Sequence, residues 1–460
     1  MSRLVVIGGG PAGMMAAGTA AAHGVSVTLL EKNEKLGKKL YITGKGRCNL
    51  TNNTDIPGLM SSILTNPRFL HSAFYAMDAT ALMAFFEGKG VPLKTERGGR
   101  VFPVSDNSGD INDALKAYLR VSRVRVELNC AVKNISHCTI PEQGISQENS
   151  KCSLSFIIST ARDTIYADAI IIATGGLSYP STGSTGDGFG WAKALGHTVT
   201  PTHPSLVPMQ APEPWLHDLA GLSLKNVRCT ATISGEISQF RDGYEIISTN
   251  SASQRHVSPR KPSQNDGKPA IVYDEIGEMM FTPTGITGPL ILKASAFLAG
   301  KWEQTPVITI DLKPGLSPEQ LDARILRDFS AHQNKDFANA LDGLLPQRLI
   351  ETIIQLSNIP PNKKVHTITR AERQQLVNLL KNLHIRPTGN AGYKEAVITK
   401  GGISTKEVNP STLMSKHSPG LFFAGEMLDV DALTGGYNMQ IAFSTGYLSG
   451  LSAAEYLAGF

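Results

Sequence analysis

The sequence predicts an α/β protein whose parallel sheet is assembled from both ends of the chain, and three observations carry that expectation. Near the N-terminus, Leu4–Ile7 reads as a short apolar strand, Ala12–Ala22 as a helix rich in small residues, and Val25–Leu30 as a second strand, with Gly8, Gly9, Gly10 and Pro11 at the first break. That is a βαβ start. The runs from Ile170 to Gly176 and from Gly420 to Glu426 are two further buried strands, each ending in a glycine turn. Between them, after Gly196, the texture changes to short β-rich segments and then to helices, so the middle of the chain reads as an insertion.

Further strands are expected near Val124–Leu128 and Ala169–Ala173, beside or within the parallel sheet. In the insertion, Val227–Ile233 and Ala270–Asp274 alternate with turn residues in the manner of a β-barrel or sandwich. The polar run 248–269, rich in Pro, Ser and Asn, reads as a mobile loop. From 315 to 385 the chain is helical. Ser317 followed by Pro318 and Glu319 is a helix start, Pro346 opens another, and Thr369 to Glu372 is a capping box. These textures divide the chain into residues 1–198 with 387–460, a β-rich 199–314 and a helical 315–386.

Composition excludes little. With 460 residues, 41% hydrophobic and 18% charged, the chain is an ordinary globular one of two or three domains. A net charge of +5 permits a polyanionic partner without requiring one. Five cysteines without a C-x-x-C pair argue against both a redox dithiol and a metal site, and suggest reduced thiols. No H-x-x-x-H pair or carboxylate cluster suggests a metal either, and His203, His217 and His384 read as isolated. Residues 4–30 are nearly uncharged but break into strand, turn, helix and strand rather than a membrane span, and no basic leader precedes them. A cytoplasmic protein without membrane attachment is expected.

Gly8-x-Gly10-x-x-Gly13 follows the first strand and opens the first helix, with Pro11 and Ala12 on its first turn. Glycines there allow the tight turn and the close approach of a pyrophosphate, and the free helix terminus offers N–H donors to it. Glu31, 18 residues after Gly13, can accept from both hydroxyls of a ribose and disfavours a 2′-phosphate; Lys32 stands beside it. Ala173, Thr174 and Gly175 end one returning strand, and Gly425, Glu426 and Asp429 follow the other, with Glu426 suited to a ribityl chain. Gly436, Asn438 and Met439 then open a helix whose positive end suits the pyrimidine edge of a reduced flavin. Together these favour noncovalent FAD over NAD.

On those residues a family resemblance becomes specific. Gly44-Lys45-Gly46-Arg47-Cys48-Asn49-Leu50-Thr51-Asn52, the stretch from Ala173 to Gly188, and Phe423 to Asp431 with Gly435-Gly436-Tyr437-Asn438 resemble a bacterial flavoprotein family. Its members are described variously as NAD(P)/FAD-dependent, aminoacetone-oxidase-like or bile-acid-dehydroxylation-like oxidoreductases. The resemblance implies a Rossmann-like FAD-binding domain interrupted by a β-barrel domain, with a small helical domain inserted in turn. It adds Gly44, Gly46, Arg47, Thr51 and Val132 to the expected FAD contacts. One branch of the family resembles enzymes that reduce a uridine of large-subunit ribosomal RNA to dihydrouridine; another is described as oxidising small amines. The segment Phe281 to Pro289 resembles a family motif that usually carries histidine where this chain has Pro283, so no role for that histidine carries over.

Arg47, Cys48 and Asn49 are the catalytic candidates, because related flavoproteins send this loop past the isoalloxazine. A Cys48 thiol could give a proton to carbon as hydride reaches the neighbouring carbon; the alternative is a small packing residue. Arg47 is a candidate for FAD phosphates or an anionic substrate group. Arg97 and Arg100 suit either a substrate cavity or a solvated hairpin. Between Lys363 and Arg386 six basic residues face one acid, Glu372, a pattern that could grip RNA phosphates or lie on a solvated helix face. Three functions compete: a redox enzyme acting on RNA, a small-molecule oxidase or reductase, and a flavin-binding sensor without turnover. With no second nucleotide fingerprint, NAD(P)H is expected to dock only transiently as electron donor.

Overall fold

The computed structural model of the chain describes residues 3–138, 155–233 and 269–459, which form two compact units. The first comprises residues 1–204 and 393–460, and the second residues 205–392. Apart from its last residue, the polar run 248–269 lies outside the described residues.

At the centre of the first unit is a five-stranded sheet of β1 (Arg3–Ile7), β2 (Ser26–Leu30), β3 (Arg125–Glu127), β4 (Ala169–Ile172) and β5 (Leu421–Phe423), in the order β5-β4-β1-β2-β3. Every pair is parallel, with Val5 opposite both Thr28 and Ile170. Alternation along the strands builds two cores. Leu4, Val6, Ala169 and Ile171 face one way, towards helix α1 (Pro11–Ala22), and Val5, Ile7, Ile170 and Ile172 face the other. Strands buried on both faces have no polar positions, which is why these runs read as continuous hydrophobes.

After β1 the chain moves to one side to make β2, and its later strands β4 and β5 lie on the other. The carboxyl end of β1 is therefore a topological switch point, where open α/β sheets leave a crevice. The last helix, α2 (Tyr437–Ala458), packs on α1. A Cβ on Gly446 would lie 2.4 Å from the Ala12 carbonyl oxygen, and one on Gly450 equally close to that of Ala16. The matching four-residue steps mean that the helices run parallel, backbone against backbone. Since α2 starts nine residues before Gly446 and α1 one residue before Ala12, the α2 N-terminus projects roughly 12 Å further, at 1.5 Å per residue.

In the second unit a seven-stranded antiparallel sheet runs in the order Leu383–Ile385, Val307–Asp311, Ser223–Ile233, Ala270–Thr282, Gly285–Thr287, Met209–Gln210, Gly389–Asn390. Its two edge strands are consecutive in the chain, separated by Arg386, Pro387 and Thr388 alone. Four residue steps reach at most about 15 Å, whereas seven flat strands would span about 29 Å. The sheet must therefore curl until its edges approach, although no ladder closes it among the described residues. The helices Pro318–Ala331, Gln347–Ser357 and Arg370–Lys381 begin where the sequence signals place them, two of them with complete capping boxes on Ser317 and Thr369. Their apolar faces (Leu321, Ile325, Ile353, Leu376, Leu380) share one core with Cys229, Ile308 and Phe281 of the sheet, so 205–392 is a single unit.

The one described stretch long and apolar enough to cross a membrane, Pro67–Glu87, is 44% buried over its most apolar window. It is broken at Met77 and Asp78, where Asp78 caps the helix Ala79–Glu87.

Candidate active site

A groove opens at the switch point, lined by the ends of β1, β4 and β5 and by the first turns of α1 and α2. With the open solvent at its mouth it encloses about 1370 Å³ of empty space. Gly8 has φ +110°, and a Cβ there would lie 2.4 Å from the Ala173 carbonyl oxygen. Beyond it the wall falls away, since a Cβ on Gly10 would meet nothing within 4 Å. Gly10 precedes α1 without any side-chain cap, and Pro11 has no N–H to satisfy. The amides of Ala12 and Gly13 thus have no intrahelical acceptor, the arrangement that binds phosphate.

Glu31 stands at the end of β2, 8% exposed. One oxygen accepts from Gly9 N (2.7 Å), the other from Asn33 N (2.8 Å) and Asn33 Nδ2 (2.6 Å). Three of roughly four acceptor positions on the carboxylate are already used, so its first task is to hold the glycine turn. Lys32 pairs with Asp187 at 2.6 Å on the rim. Val132, Ala173, Thr174, Gly175, Gly425, Asn438 and Met439 also line the groove.

Glu426 lines it too, but is held by Lys39 Nζ (2.8 Å), Ser178 Oγ (2.7 Å) and Thr399 N (2.8 Å). Sequence reasoning missed this network because its members lie in four separate segments. The Asn438 side chain turns back to Ala432 and Leu433, leaving its backbone N–H at the helix end. Asp429 is not among the lining residues; Asn66 Nδ2 donates to its carbonyl oxygen (2.8 Å), and burial, then neighbouring Asp431, pushes its carboxyl above the usual range.

The loop from Gly44 to Asn52 lies elsewhere than expected. Cys48 is not at the groove: its thiol is fully buried in the core with Leu40 and Leu50, and burial pushes it up to about 12. A proton donor to substrate needs contact with it, so the catalytic assignment of Cys48 is corrected to packing. Arg47 does not reach the groove either. It pairs with Glu96 and Asp106 and lies over the Phe102 ring at 4.1 Å. Gly44, Gly46, Asn49 and Thr51 likewise fall outside the lining.

What the loop does is hold the start of α2. With its amide oriented by its neighbours, Asn49 accepts from Gly436 N (3.0 Å) and donates to Thr51 O and Val101 O. Thr51 bonds Gln440, and Asn52 donates to Gly435 O at 3.1 Å. Gly436 itself has φ +100°, and a Cβ would sit 2.2 Å from Thr51 O. Arg97 lies in a hairpin turn and Arg100 begins the strand that follows it, exposed beside Glu96. Cys48→Ala is therefore expected to retain FAD and turnover and to lose only roughly 0.5–1.5 kcal/mol of stability, by analogy with removal of one buried group. Turnover falling tenfold with FAD content intact would restore Cys48 to the chemistry.

The residues present fit a dinucleotide: an open glycine cradle, uncapped donors at one helix end, a carboxylate at the end of β2, and a second uncapped helix end further along the same groove. Fold and groove define a Rossmann-type dinucleotide-binding flavoprotein. The chain belongs to the HI0933-like protein Rossmann domain family, whose model matches residues 2–452, and it is an FAD-dependent oxidoreductase. It is 29% identical to the 3-dehydro-bile acid delta(4,6)-reductase of Clostridium scindens, over 99% of this chain and 100% of that one. It is 28% identical to the ribosomal RNA dihydrouridine synthase of Escherichia coli, over 96% of each. Among solved structures, a 3-ketosteroid-delta4-(5alpha)-dehydrogenase from Rhodococcus jostii RHA1 matches 98% of this chain and 97% of its own, at 14% identity and a TM-score of 0.48.

Proposed function

We propose that the chain reduces a carbon–carbon double bond conjugated to a carbonyl in a small molecule, with NAD(P)H as electron donor. The observation that carries the redox part is the convergence of two uncapped helix N-termini on one groove. Bound FAD, reduced by NAD(P)H with release of NAD(P)⁺, would supply hydride to the β-carbon while the α-carbon takes a proton from solvent. The amides of Ala12 and Gly13 would hold its phosphate. Those of Tyr437, Asn438 and Met439 would face negative charge developing at the pyrimidine edge, and Glu31 keeps the glycine turn in place.

A uridine of large-subunit ribosomal RNA is the second reading, because it offers the same kind of double bond and two relatives, 28% and 27% identical, are named ribosomal RNA dihydrouridine synthases. The basic segment gives that reading less support than its sequence suggests. Lys363 is paired with Glu372, Lys364 with Asp336, Arg373 with Asp322 and Lys381 with Asp311. Four of its six cations are thus neutralised, three of them by acids from outside the segment.

Anaerobically reduced enzyme mixed with an unsaturated 3-ketosteroid, or with unmodified large-subunit RNA, separates the two readings by the rate of flavin reoxidation. Fast reoxidation by RNA alone, with dihydrouridine formed, would replace the first reading by the second. The charge reversals divide in the same way. Arg373→Glu should destabilise the second unit by about 2–4 kcal/mol, since it leaves Asp322 facing a like charge, while Arg370→Glu should be neutral in stability. Lost RNA binding in Arg370→Glu, with the fold intact, would favour RNA.

A further inference from the structure

We propose that His197, Glu407 and His417 form a binding site for a divalent transition-metal ion, zinc in the first instance, behind strand β5. The three residues come from three places: the turn after helix Asp187–Ala194, the end of the short helix Thr405–Glu407, and the turn leading into β5. No sequence spacing brings them together, because 209 residues separate His197 from Glu407.

Their donor atoms all lie within 4.8 Å of one another. His197 Nδ1 is 3.5 Å from Glu407 Oε2, and His417 Nε2 is 3.9 Å from the same oxygen. Ligands held about 2.05 Å from a tetrahedral zinc stand about 3.3 Å apart, so these two separations need tighten by no more than about 0.6 Å. Two imidazoles and one carboxylate suit a borderline ion and are a poor set for calcium or magnesium, which take oxygen.

A second observation points into the same space. The His197 side chain has no exposed surface, yet its Nδ1 has no hydrogen-bond partner. The other ring nitrogen is fixed, with Nε2 2.8 Å from Ser415 Oγ, and the ring edge packs on Phe423. Glu407 Oε2 is further oriented by Thr198 N at 2.8 Å. His417 is 48% exposed and leaves the fourth position to water. The ion would tie the turn at His197 to the segment that delivers Ala424 and Gly425 into the groove, a bracing role.

The test uses the untagged, FAD-loaded full chain after chelation, titrated with cobalt(II) as the spectroscopic probe and with zinc in competition. One equivalent of cobalt should give visible bands of tetrahedral type, displaced by zinc, and zinc should raise the thermal midpoint. His417→Ala removes a ring at the surface and should keep FAD absorbance and the metal-free midpoint, while weakening cobalt and zinc at least 10- to 100-fold. Glu407→Gln should weaken both in the same direction. Absence of saturable uptake at one equivalent, or uptake unchanged in His417→Ala and Glu407→Gln, overturns the proposal.

Discussion

Glu31→Ala is expected to yield protein that loses FAD on gel filtration, with affinity reduced by roughly 100-fold or more. The side chain accepts three hydrogen bonds, from Gly9 N, Asn33 N and Asn33 Nδ2. Each charge-assisted bond contributes about 1.5–3 kcal/mol, and two left unmade already amount to more than a factor of 100. The loss acts on the glycine turn, whose backbone must stay open beside Gly10. Glu31→Gln keeps the shape and can still accept through its carbonyl oxygen, but it forfeits the charge and turns an NH₂ towards one donor. It should lie between the wild type and alanine. Equal FAD affinity in all three proteins, measured by flavin fluorescence on titration, would show that the carboxylate neither holds the turn nor meets the ribose.

Gly446→Val should be the more damaging substitution for the fold. Even a Cβ at this position would stand 2.4 Å from the backbone oxygen of Ala12 and 3.0 Å from its Cα. Backbone cannot swing aside as a flexible side chain can, so α2 must move off α1. Overpacking of this kind costs about 1–3 kcal/mol and more where backbone is the obstacle. The displacement would also draw the two helix termini apart, so FAD content should fall together with the thermal midpoint. Gly459→Ala is the control: it lies past the end of α2, where the nearest atom to a new Cβ is 3.5 Å away, and should change neither. If Gly446→Val keeps both the midpoint and the flavin, the parallel helix contact does not set the groove.

Local chemistry explains what could be read in advance. The βαβ start, the glycine turn, Glu31, the returning strands, the helix start at Ser317 and the capping box at Thr369 are written in contiguous residues, because a strand buried on two faces, a tight turn and a helix start each impose their demands within a few positions. The likeness of residues 44–52 to a flavoprotein motif was legible for the same reason, but its meaning was not. Whether Cys48 faces a ring or a core depends on which side of the loop the sheet and α2 occupy, and that is settled by partners such as Val101, Gly436 and Gln440, far along the chain.

Charge followed the same division. The sequence alone determined the number of cations between Lys363 and Arg386; only the tertiary structure decided that Asp311, Asp322 and Asp336 stand against three of them. It likewise brought His197 to Glu407 and His417, and Lys39 to Glu426. Periodicity and turn signals act through neighbours in sequence. Ion pairing, ligand geometry and burial act through distances of a few ångströms in space, which packing sets without regard to separation along the chain.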